Sequence, residues 1–470
     1  ILRTIWRMLV THKRLLEWNP FQSQTHHAAN DLTASCRSMW IAPILSTAVL
    51  TYLLISRPGA LYAALPMLVL WFASPFITWW VSQPVVKEGI TLKDEQIIFL
   101  GKAARRTWSF FETFVTAEDH WLPPDNYQEQ PGGMIAHRTS PTNMGLALLA
   151  NLSACDFGYV TPGAFLRRTA NTFDTMEKMD RHRGHFYNWY DTQSLKTLPP
   201  HYISTVDSGN LCGYLLTLKW GLLELPDRKI SGDRLPEGIA DTYRVLKDVA
   251  ENTSKNELAE FKKHLDTPVV LKGTMVNELW RRLHLLTKSA SDIASTFEAD
   301  AQSQAYGWAQ ALVRQCRDAA DELMALCPWV MLNIPSDRVA RILVEIGIPT
   351  LREVADLSAK WLSTIEEIIG PDTNTEEQAW SREFHKVVLE GSLLARERLS
   401  IIHCLIKKAG ELADMDYSFL YDQGRQLLTI GYSVGERRRD ASFYDLLASE
   451  ARFCSFVAIA QGQLPKENWF

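Results

Sequence analysis

Aromatic rings and short polar side chains are concentrated between Arg183 and Asn210, in the sequence RGHFYNWYDTQSLKTLPPHYISTVDSGN. Rings with polar edges stack on the apolar faces of sugars, and carboxylates, amides and hydroxyls hydrogen-bond to sugar hydroxyls. Gly184, Pro199, Pro200 and Gly209 break regular structure and favour loops, where binding residues concentrate. A buried aromatic core is the alternative for any single ring. As a set, the segment predicts a sugar-binding rim, and its candidate residues are Tyr187, Trp189, Tyr190, Asp191, Asp207, Ser208 and Asn210.

A second stretch, WLPPDNY, repeats this combination of an aromatic platform, rigid prolines and a carboxylate. It adds Trp121, Asp125 and Tyr127 to the candidate ligand contacts. The following HRTSPTN places Ser140 directly before a proline, which predicts a helix cap. We expect Arg138 and Asn143, on either side of this cap, to reach the same pocket.

Glu450 is the carboxylate whose surroundings best suit proton transfer. It lies in a predicted helix, FYDLLASEARFCSFVAIA, among small and apolar residues. Partial burial there would favour the protonated form, as a general acid requires. The alternatives are a salt bridge with Arg452 or an exposed helix face, and spacing alone favours these alternatives.

Composition excludes several classes of protein. The net charge of −5 argues against binding to nucleic acid, which needs a basic surface. The seven cysteines are scattered singly without a CxxC pair, so neither a disulfide framework nor a zinc site is predicted. His182 and His185 flank an arginine that would oppose a metal cation. No nucleotide-binding loop, HExxH or GxSxG motif is present. We therefore expect neither a metal nor a cofactor in this chain.

Two apolar runs, Met39–Ser56 and Ala60–Val81, lack acidic and basic side chains and approach the ~20 residues that cross a bilayer. Tryptophans at their ends suit the membrane interface. Residues 38–82 therefore predict a transmembrane hairpin, and a pair of buried core helices is the alternative. Residues 1–37 form a basic, amphipathic flank, which the positive-inside rule places in the cytoplasm. Two crossings would return the remaining chain to the cytoplasmic side.

The rest of the sequence is predicted to be mostly α-helical, with aromatic and polar loops between the helices. Loops that supply a site at successive helix starts favour an α/α toroid over a helical bundle, whose sites lie on facing helices. The predicted toroid occupies residues 86–225 and continues at 375–470. Residues 226–374 are richer in charge and amphipathic patterns, which predicts a helical insertion or linker domain.

The motifs WLPPDNYQE, HRTSPTNMGL, GHFYNWYDT, HYISTVDSGNL and FYDLLASEAR, in this order behind a membrane hairpin, resemble the central region of cyclic β-1,2-glucan synthases. The resemblance extends from RTIWRMLVTHKRLLEW to Phe470. It implies a bacterial inner-membrane protein whose α/α-toroid domain cyclises linear β-1,2-glucan by transglycosylation. It also implies an upstream glycosyltransferase domain that uses UDP-glucose and a downstream phosphorylase-like domain.

The resemblance assigns Glu450 as the acid/base of an anomer-retaining mechanism, and it adds Tyr444 and Asp445 to the substrate contacts. Retention needs a second carboxylate, which the family carries in a motif beyond the position of Phe470. The chain alone is therefore expected to be an inactive fragment with an open-sided toroid. The basic run from Gly435 to Asp440 departs from the family pattern. A non-catalytic glucan-binding scaffold and a β-glucan hydrolase of the same fold are the alternatives.

Overall fold

The computed structural model describes residues 32–81, 92–130, 132–232, 234–250, 253–267, 276–368, 375–444 and 449–469. The chain divides into two compact units, residues 1–92 and 93–470. The prediction of a mostly helical protein is confirmed. Residues 1–31 of the predicted N-terminal flank lie outside the described residues.

The described part of the first unit contains three helices, α1 (Leu32–Ser38), α2 (Ile41–Ser56) and α3 (Leu61–Val81). A short 3₁₀ turn precedes α3, and the Ser46 hydroxyl on α2 donates to the Leu68 carbonyl on α3 at 2.7 Å. By length and composition, the segment Pro58–Val81 is long and apolar enough to cross a membrane, whereas α2 is shorter. The crossing of a membrane by both helices stays a prediction.

The second unit begins with three helices, α4 (Asp94–Phe114), α5 (Pro141–Asp156) and α6 (Pro162–Met176), followed by α7 (Thr205–Glu224). The Ser140 hydroxyl caps α5 by accepting from the Asn143 amide, as predicted. Asp207 and Ser208 are residue types that predict a helix start, but α7 begins earlier, at Thr205. Ser204 is its cap, because its hydroxyl accepts from the Asp207 amide. This satisfies a donor of the first turn that the helix itself cannot pair.

Eight further helices lie in the described residues of the second unit. They are α8 (Leu235–Val249), α9 (Lys255–Asp266), α10 (Val276–Thr296), α11 (Gln304–Leu326), α12 (Asp337–Ile346), α13 (Leu351–Ile368), α14 (Thr375–Ala413) and α15 (Ser449–Ala460).

Short strands pair the loops between these helices, always antiparallel. They are β1 (Tyr127–Gln128), β2 (Met134–Ile135), β3 (Arg138–Thr139), β4 (Arg181–His182), β5 (His185–Phe186), β6 (Tyr190–Asp191), β7 (Tyr202–Ser204), β8 (Tyr421–Asp422), β9 (Leu427–Leu428), β10 (Gly431–Ser433) and β11 (Arg438–Arg439). β3 pairs with β6, and β7 pairs with β10. β3 and β7 lead directly into α5 and α7, so these pairings hold the loops at the starts of those helices.

Helices α5 and α7 pack closely and run parallel. A Cβ on Gly145 would clash with Tyr214, and a Cβ on Gly221 would clash with Leu152, two turns further along both helices. Helix α15 packs on the other side of α7, where Gly209 touches Cys454 and the Cys212 thiol meets Gln461. Since both contact pairs advance in the same direction, α15 also runs parallel to α7. The amino ends of the three helices therefore lie at one end of the unit.

A large hydrophobic core extends through the second unit, beside a small separate cluster around Trp108. It includes Phe173 and Leu215 from the region predicted as toroid, and also Phe261, Leu286 and Leu312 from residues 226–374. The residues of the predicted insertion thus share a core with the helices around them. The proposed division at residues 86, 226 and 375 stays a prediction.

A buried histidine joins the loop ahead of α7 to the loop after α14. His185 lies with Nδ1 2.8 Å from the Ser208 hydroxyl and Nε2 2.9 Å from the Asp416 carbonyl. Because a carbonyl only accepts, the neutral ring carries its proton on Nε2. Burial lowers the pKa of His185 to about 4, with partial opposition from the Asp416 carbonyl.

We expect stability to fall at acidic pH because of this histidine. Its pKa in the folded chain lies below the ordinary value of 6.5, so the unfolded chain binds the proton more tightly. Between pH 7 and pH 4 the free energy of unfolding should decrease by about 3 kcal/mol. Urea titrations of His185→Gln should lack this part of the decrease, whereas the exposed His284→Gln should retain it. An unchanged pH profile in His185→Gln would contradict the assignment.

Gly238 and Gly307 provide a matched test of the packing, because each is the fourth residue of its helix. A Cβ on Gly238 would clash with the backbone oxygens of Phe157 and Gly158, so Gly238→Ala should destabilise the chain by about 1–3 kcal/mol. A Cβ on Gly307 meets nothing within 4 Å, so Gly307→Ala should stabilise it by up to about 1 kcal/mol. Urea denaturation in detergent micelles measures both. Equal effects of the two substitutions on stability would contradict the close contact between Gly238 and the backbone of Phe157 and Gly158.

Candidate functional site

An ion pair between Asp125 and Arg138 lies at the end of the unit where α5 and α7 begin. The Asp125 Oδ2 atom accepts from Arg138 Nη2 at 2.9 Å and from Nε at 3.2 Å. The other oxygen, Oδ1, has the Asn143 amide nitrogen at 3.4 Å, the outer limit of a hydrogen bond. The side chains are 20% and 51% exposed. The Asp125 carboxylate is thus fixed in position and retains accepting capacity.

The Arg138 guanidinium also stacks on Trp189, with Cζ 4.7 Å from the ring centroid. The pairing of β3 with β6 sets Arg138 opposite Asp191, which follows this tryptophan by two residues. A cation over an indole face is attracted by the ring quadrupole. The stack occupies one face of Trp189, so a ligand would have to use the other face or the ring edge.

A second carboxylate, Asp207, lies in the first turn of α7. Its Oδ1 atom accepts from the Thr142 hydroxyl at 2.6 Å, and the Asn210 amide donates to the same hydroxyl oxygen at 3.3 Å. With its amide oriented to satisfy both contacts, Asn188 donates to Asp207 Oδ2 at 3.1 Å and accepts from Trp189 Nε1 at 3.2 Å. Asn188 therefore links Asp207 to the stacked pair of Arg138 and Trp189.

These contacts form one connected polar network. It unites six of the residues predicted from sequence with two others, and its members are Asp125, Arg138, Thr142, Asn143, Asn188, Trp189, Asp207 and Asn210. Thr142 and Asn188 were not predicted. Both lie inside the motifs HRTSPTNMGL and GHFYNWYDT, next to predicted residues, and this adjacency was the available signal.

Among the described contacts, Trp121 and Tyr127 are not part of the polar network. Trp121 is half-buried beneath the Arg168 guanidinium, 5.6 Å from its ring, with a backbone φ of 62°. Tyr127 is exposed and packs against Phe114, with ring centroids 4.9 Å apart. Neither makes a described contact with the polar network, so their contact with a ligand stays a prediction.

Four predicted residues hold the loops in shape. Tyr190 is fully buried, and its hydroxyl donates to the Asp180 carbonyl at 2.6 Å and accepts from the Tyr187 amide. Tyr187 is half-buried against the edge of His201. Ser208 is buried, with its hydroxyl 2.8 Å from the Ser204 carbonyl and equally close to a histidine nitrogen. A role for these three in ligand contact stays a prediction.

Asp191 is the fourth of these residues. Its Oδ1 atom accepts from the backbone amide of Ser194 at 2.7 Å, from the Ser194 hydroxyl and from the Gln193 amide. The Ser194 amide, followed by its hydroxyl, holds the pKa of Asp191 below its ordinary value. This oxygen is committed to a turn, which leaves the other oxygen for any ligand.

The three candidates near the end of the chain are described in part. Asp445 lies outside the described residues. Tyr444 is half-buried, and its amide donates to the Leu428 carbonyl at 3.3 Å. Glu450 lies in the first turn of α15, and its side chain is outside the described part of the chain. One turn later, Cys454 contacts Gly209 of α7. The backbone thus places Glu450 near the start of α7.

Among the described residues, no group of three or more histidine, cysteine, aspartate or glutamate side chains could hold a metal ion. The network contains two carboxylates that are bound to an arginine, a threonine and amides. Such a set suits a neutral, hydroxyl-rich ligand, because it offers charged acceptors and amide donors side by side.

Comparisons with known proteins agree with the motifs. The cyclic beta-(1,2)-glucan synthase NdvB of Rhizobium meliloti (strain 1021) is 34% identical over 480 residues, which cover 100% of this chain and 15% of that protein. The chain thus spans about a seventh of the length of this relative. No protein-family model matches the chain.

A crystal structure of a candidate glucoamylase from Bacteroides fragilis NCTC 9343 matches 35% of this chain and 38% of its own, at 20% identity. Its TM-score of 0.22 is too low to support an argument. The relation to the glucan synthases therefore rests on the similarity in sequence. The chain is a homologue, over its whole length, of one segment of the cyclic β-1,2-glucan synthases, as its motifs predict.

Proposed function

We propose that this chain processes β-glucan, as the part of a cyclic β-1,2-glucan synthase that binds linear β-1,2-glucan and closes it by transglycosylation. The observation that carries the proposal is the polar network around Asp125, Arg138 and Asp207, built from the motifs on which the family resemblance rests. The network presents two carboxylates and an aromatic ring at one end of parallel helices.

The chemistry of these groups fits a glucan better than a charged substrate. Hydroxyls donate to carboxylates in hydrogen bonds that are roughly twice as strong as those between neutral groups. The Asp125 Oδ1 atom has only a long contact to Asn143, so a ligand hydroxyl can bind there without breaking the ion pair. Arg138 neutralises the adjacent charge, which leaves the site without a strong preference for cations.

We propose Glu450 as the acid/base of a retaining mechanism. Retaining enzymes place two carboxyl groups about 5 Å apart, one to attack the anomeric carbon and one to protonate the leaving oxygen. In a cyclisation, the attacking hydroxyl of the chain's other end replaces water, and the acid/base takes its proton. The nucleophile is proposed to lie in a segment beyond Phe470, so the isolated chain is expected to bind glucan without cyclising it.

An incomplete α/α toroid is the proposed architecture. The parallel course of α5, α7 and α15, which alternate along the chain with α6 and α14, supports it. Large apolar side chains on these three helices are exposed, including Leu146, Trp220 at 68% and Phe456 at 60%. Exposed apolar patches mark surfaces that another element covers. We propose that further helices of the full-length protein complete the ring there.

The first test of the site is binding. Asp125→Asn removes the charge that orients Arg138, so the dissociation constant for linear β-1,2-glucan should rise about 10- to 100-fold. Isothermal titration calorimetry on the full chain measures it. Asp292→Asn, on an exposed face of α10, is the matched control and should leave binding unchanged. Equal affinity of both variants would remove Asp125 from the site.

The second test concerns catalysis in the full-length protein. Glu450→Gln should lower the rate of cyclisation by about 10²- to 10⁴-fold, because the proton transfer is lost while glucan binding is retained. Chromatography of cyclic and linear products, with a reducing-end assay, measures the outcome. Persistent cyclisation would favour the non-catalytic scaffold. Release of reducing ends by the unmodified protein, in place of cyclic product, would favour the hydrolase.

We also propose that α2 and α3 both cross the bacterial inner membrane and leave the second unit on the cytoplasmic side. The apolar composition of both helices supports this, and α3 alone meets the length of a crossing helix. The lipid bilayer, a UDP-glucose-dependent glycosyltransferase domain and a phosphorylase-like domain are the proposed partners within the whole protein. Nucleic acid is not among them.

Cysteine labelling tests the two crossings. Cys36 precedes α2 and Cys404 lies on α14, and both thiols are exposed. The other thiols should react slowly, because burial raises the pKa of a thiol. For Cys212 it raises the pKa to about 12. A membrane-impermeant maleimide should label Cys36 and Cys404 in inside-out vesicles and neither in intact spheroplasts. Cys36→Ser and Cys404→Ser identify each signal. Labelling of the two from opposite sides would exclude two crossings.

A further inference from the structure

A cavity of about 300 Å³ lies at the opposite end of helices α5 and α7 from the polar network. Cys155 and Asp156, which end α5, form one side of it. The first turn of α6, at Thr161 and Pro162, and residues 228–232 with Arg234 complete its rim. Its volume lies at the lower end of the ~300–1,000 Å³ that small-molecule pockets occupy.

The interior wall of the cavity is apolar. Eight of its lining side chains are buried leucines or isoleucine, among them Leu166, Leu225, Ile230, Leu235, Leu323 and Leu351. An empty apolar cavity destabilises a protein in proportion to its volume. An apolar ligand of matching size would restore the missing contacts, so the wall itself favours occupancy by a hydrocarbon chain.

The charges around the cavity are mostly positive. Arg228 pairs with Asp156, and Arg398 pairs with Glu322. Lys229 and Arg234 also line the cavity, and both are exposed, so they border its opening. Neither forms an ion pair within the described part of the chain; Arg234 stacks on Phe157 at 5.2 Å and interacts at longer range with the Asp241 carboxylate. Two cations that make no ion pair among the described residues thus stand at the mouth of an apolar cavity.

The cavity is separate from the glucan network. Helix α5 has 16 residues and is therefore about 24 Å long, with the network at its first turn and the cavity at its last. The leucine-lined interior also suits a polyhydroxylated sugar poorly, since buried hydroxyls need hydrogen-bond partners. A different class of ligand is required.

We propose that this cavity binds a single-chain amphiphile, with its hydrocarbon chain against the leucines and one anionic head group at Lys229 and Arg234. Carboxylates and phosphates both form charge-assisted hydrogen bonds with these cations. The ligand is therefore a free fatty acid or a lysophospholipid with an acidic head group. The inference does not rest on the proposed glucan function.

Photo-crosslinking tests this site on the full chain in nanodiscs. A dodecanoate with a diazirine on its chain should label peptides that contain Leu166 and Leu323, as mapped by mass spectrometry. Dodecanoate should compete if the site prefers a free fatty acid, and dodecanoyl lysophosphatidate should compete more strongly if it prefers a lipid head group. Dodecyltrimethylammonium should compete at least 10-fold less well than either. Equal competition by the cationic amphiphile would overturn the proposal.

Charge reversal at the mouth of the cavity provides the second test of the proposal. Lys229→Glu combined with Arg234→Glu should reduce labelling of these peptides at least 10-fold. Lys263→Glu, an exposed lysine on α9 away from the cavity, is the matched control and should not reduce it. Because all three positions are exposed, these substitutions should leave the unfolding temperature unchanged. Measuring that temperature verifies that each variant is folded. Equal labelling in the two proteins, or labelling confined to residues 41–81, would also overturn the proposal.

Discussion

The close parallel packing of α5, α7 and α15 is the constraint on which the rest of the second unit depends. Glycines at the contacts, Gly145 facing Tyr214 and Gly209 facing Cys454, allow the helices to approach where any side chain would clash. Because the helices run in one direction, their amino ends meet at one end of the unit. This direction brings together the loops that precede the helices and the polar residues of those loops.

Buried hydrogen bonds then fix the loops on this scaffold. The Thr205 hydroxyl at the start of α7 donates to the Thr429 carbonyl at 2.7 Å, and Tyr190 binds the Asp180 carbonyl from a fully buried position. Unpaired buried polar groups are costly, so such bonds specify the loop conformation strongly. Asp125, Asn188 and Asp207 are consequently held at fixed distances, which is the property that a binding site needs.

Much of this could be predicted from local sequence. The mostly helical character follows from the sequence pattern, and Ser140 caps α5 as its position before a proline implies. The cap of α7 was misplaced because Ser204 competes with several polar neighbours. The contacts of Asn188 depend on tertiary packing that spacing does not encode. For the same reason the sequence identified Tyr190 as a candidate for ligand contact without revealing its burial.

Hydrogen–deuterium exchange of the full chain with linear β-1,2-glucan tests the central claim most directly. The claim is that the joined amino ends of α5 and α7 form the glucan site. Amides of residues 121–143 and 183–210 should become protected when glucan binds, and those around the cavity at residues 225–235 should not change. Protection confined to other parts of the chain, with these two segments unaffected at saturating glucan, would contradict the account.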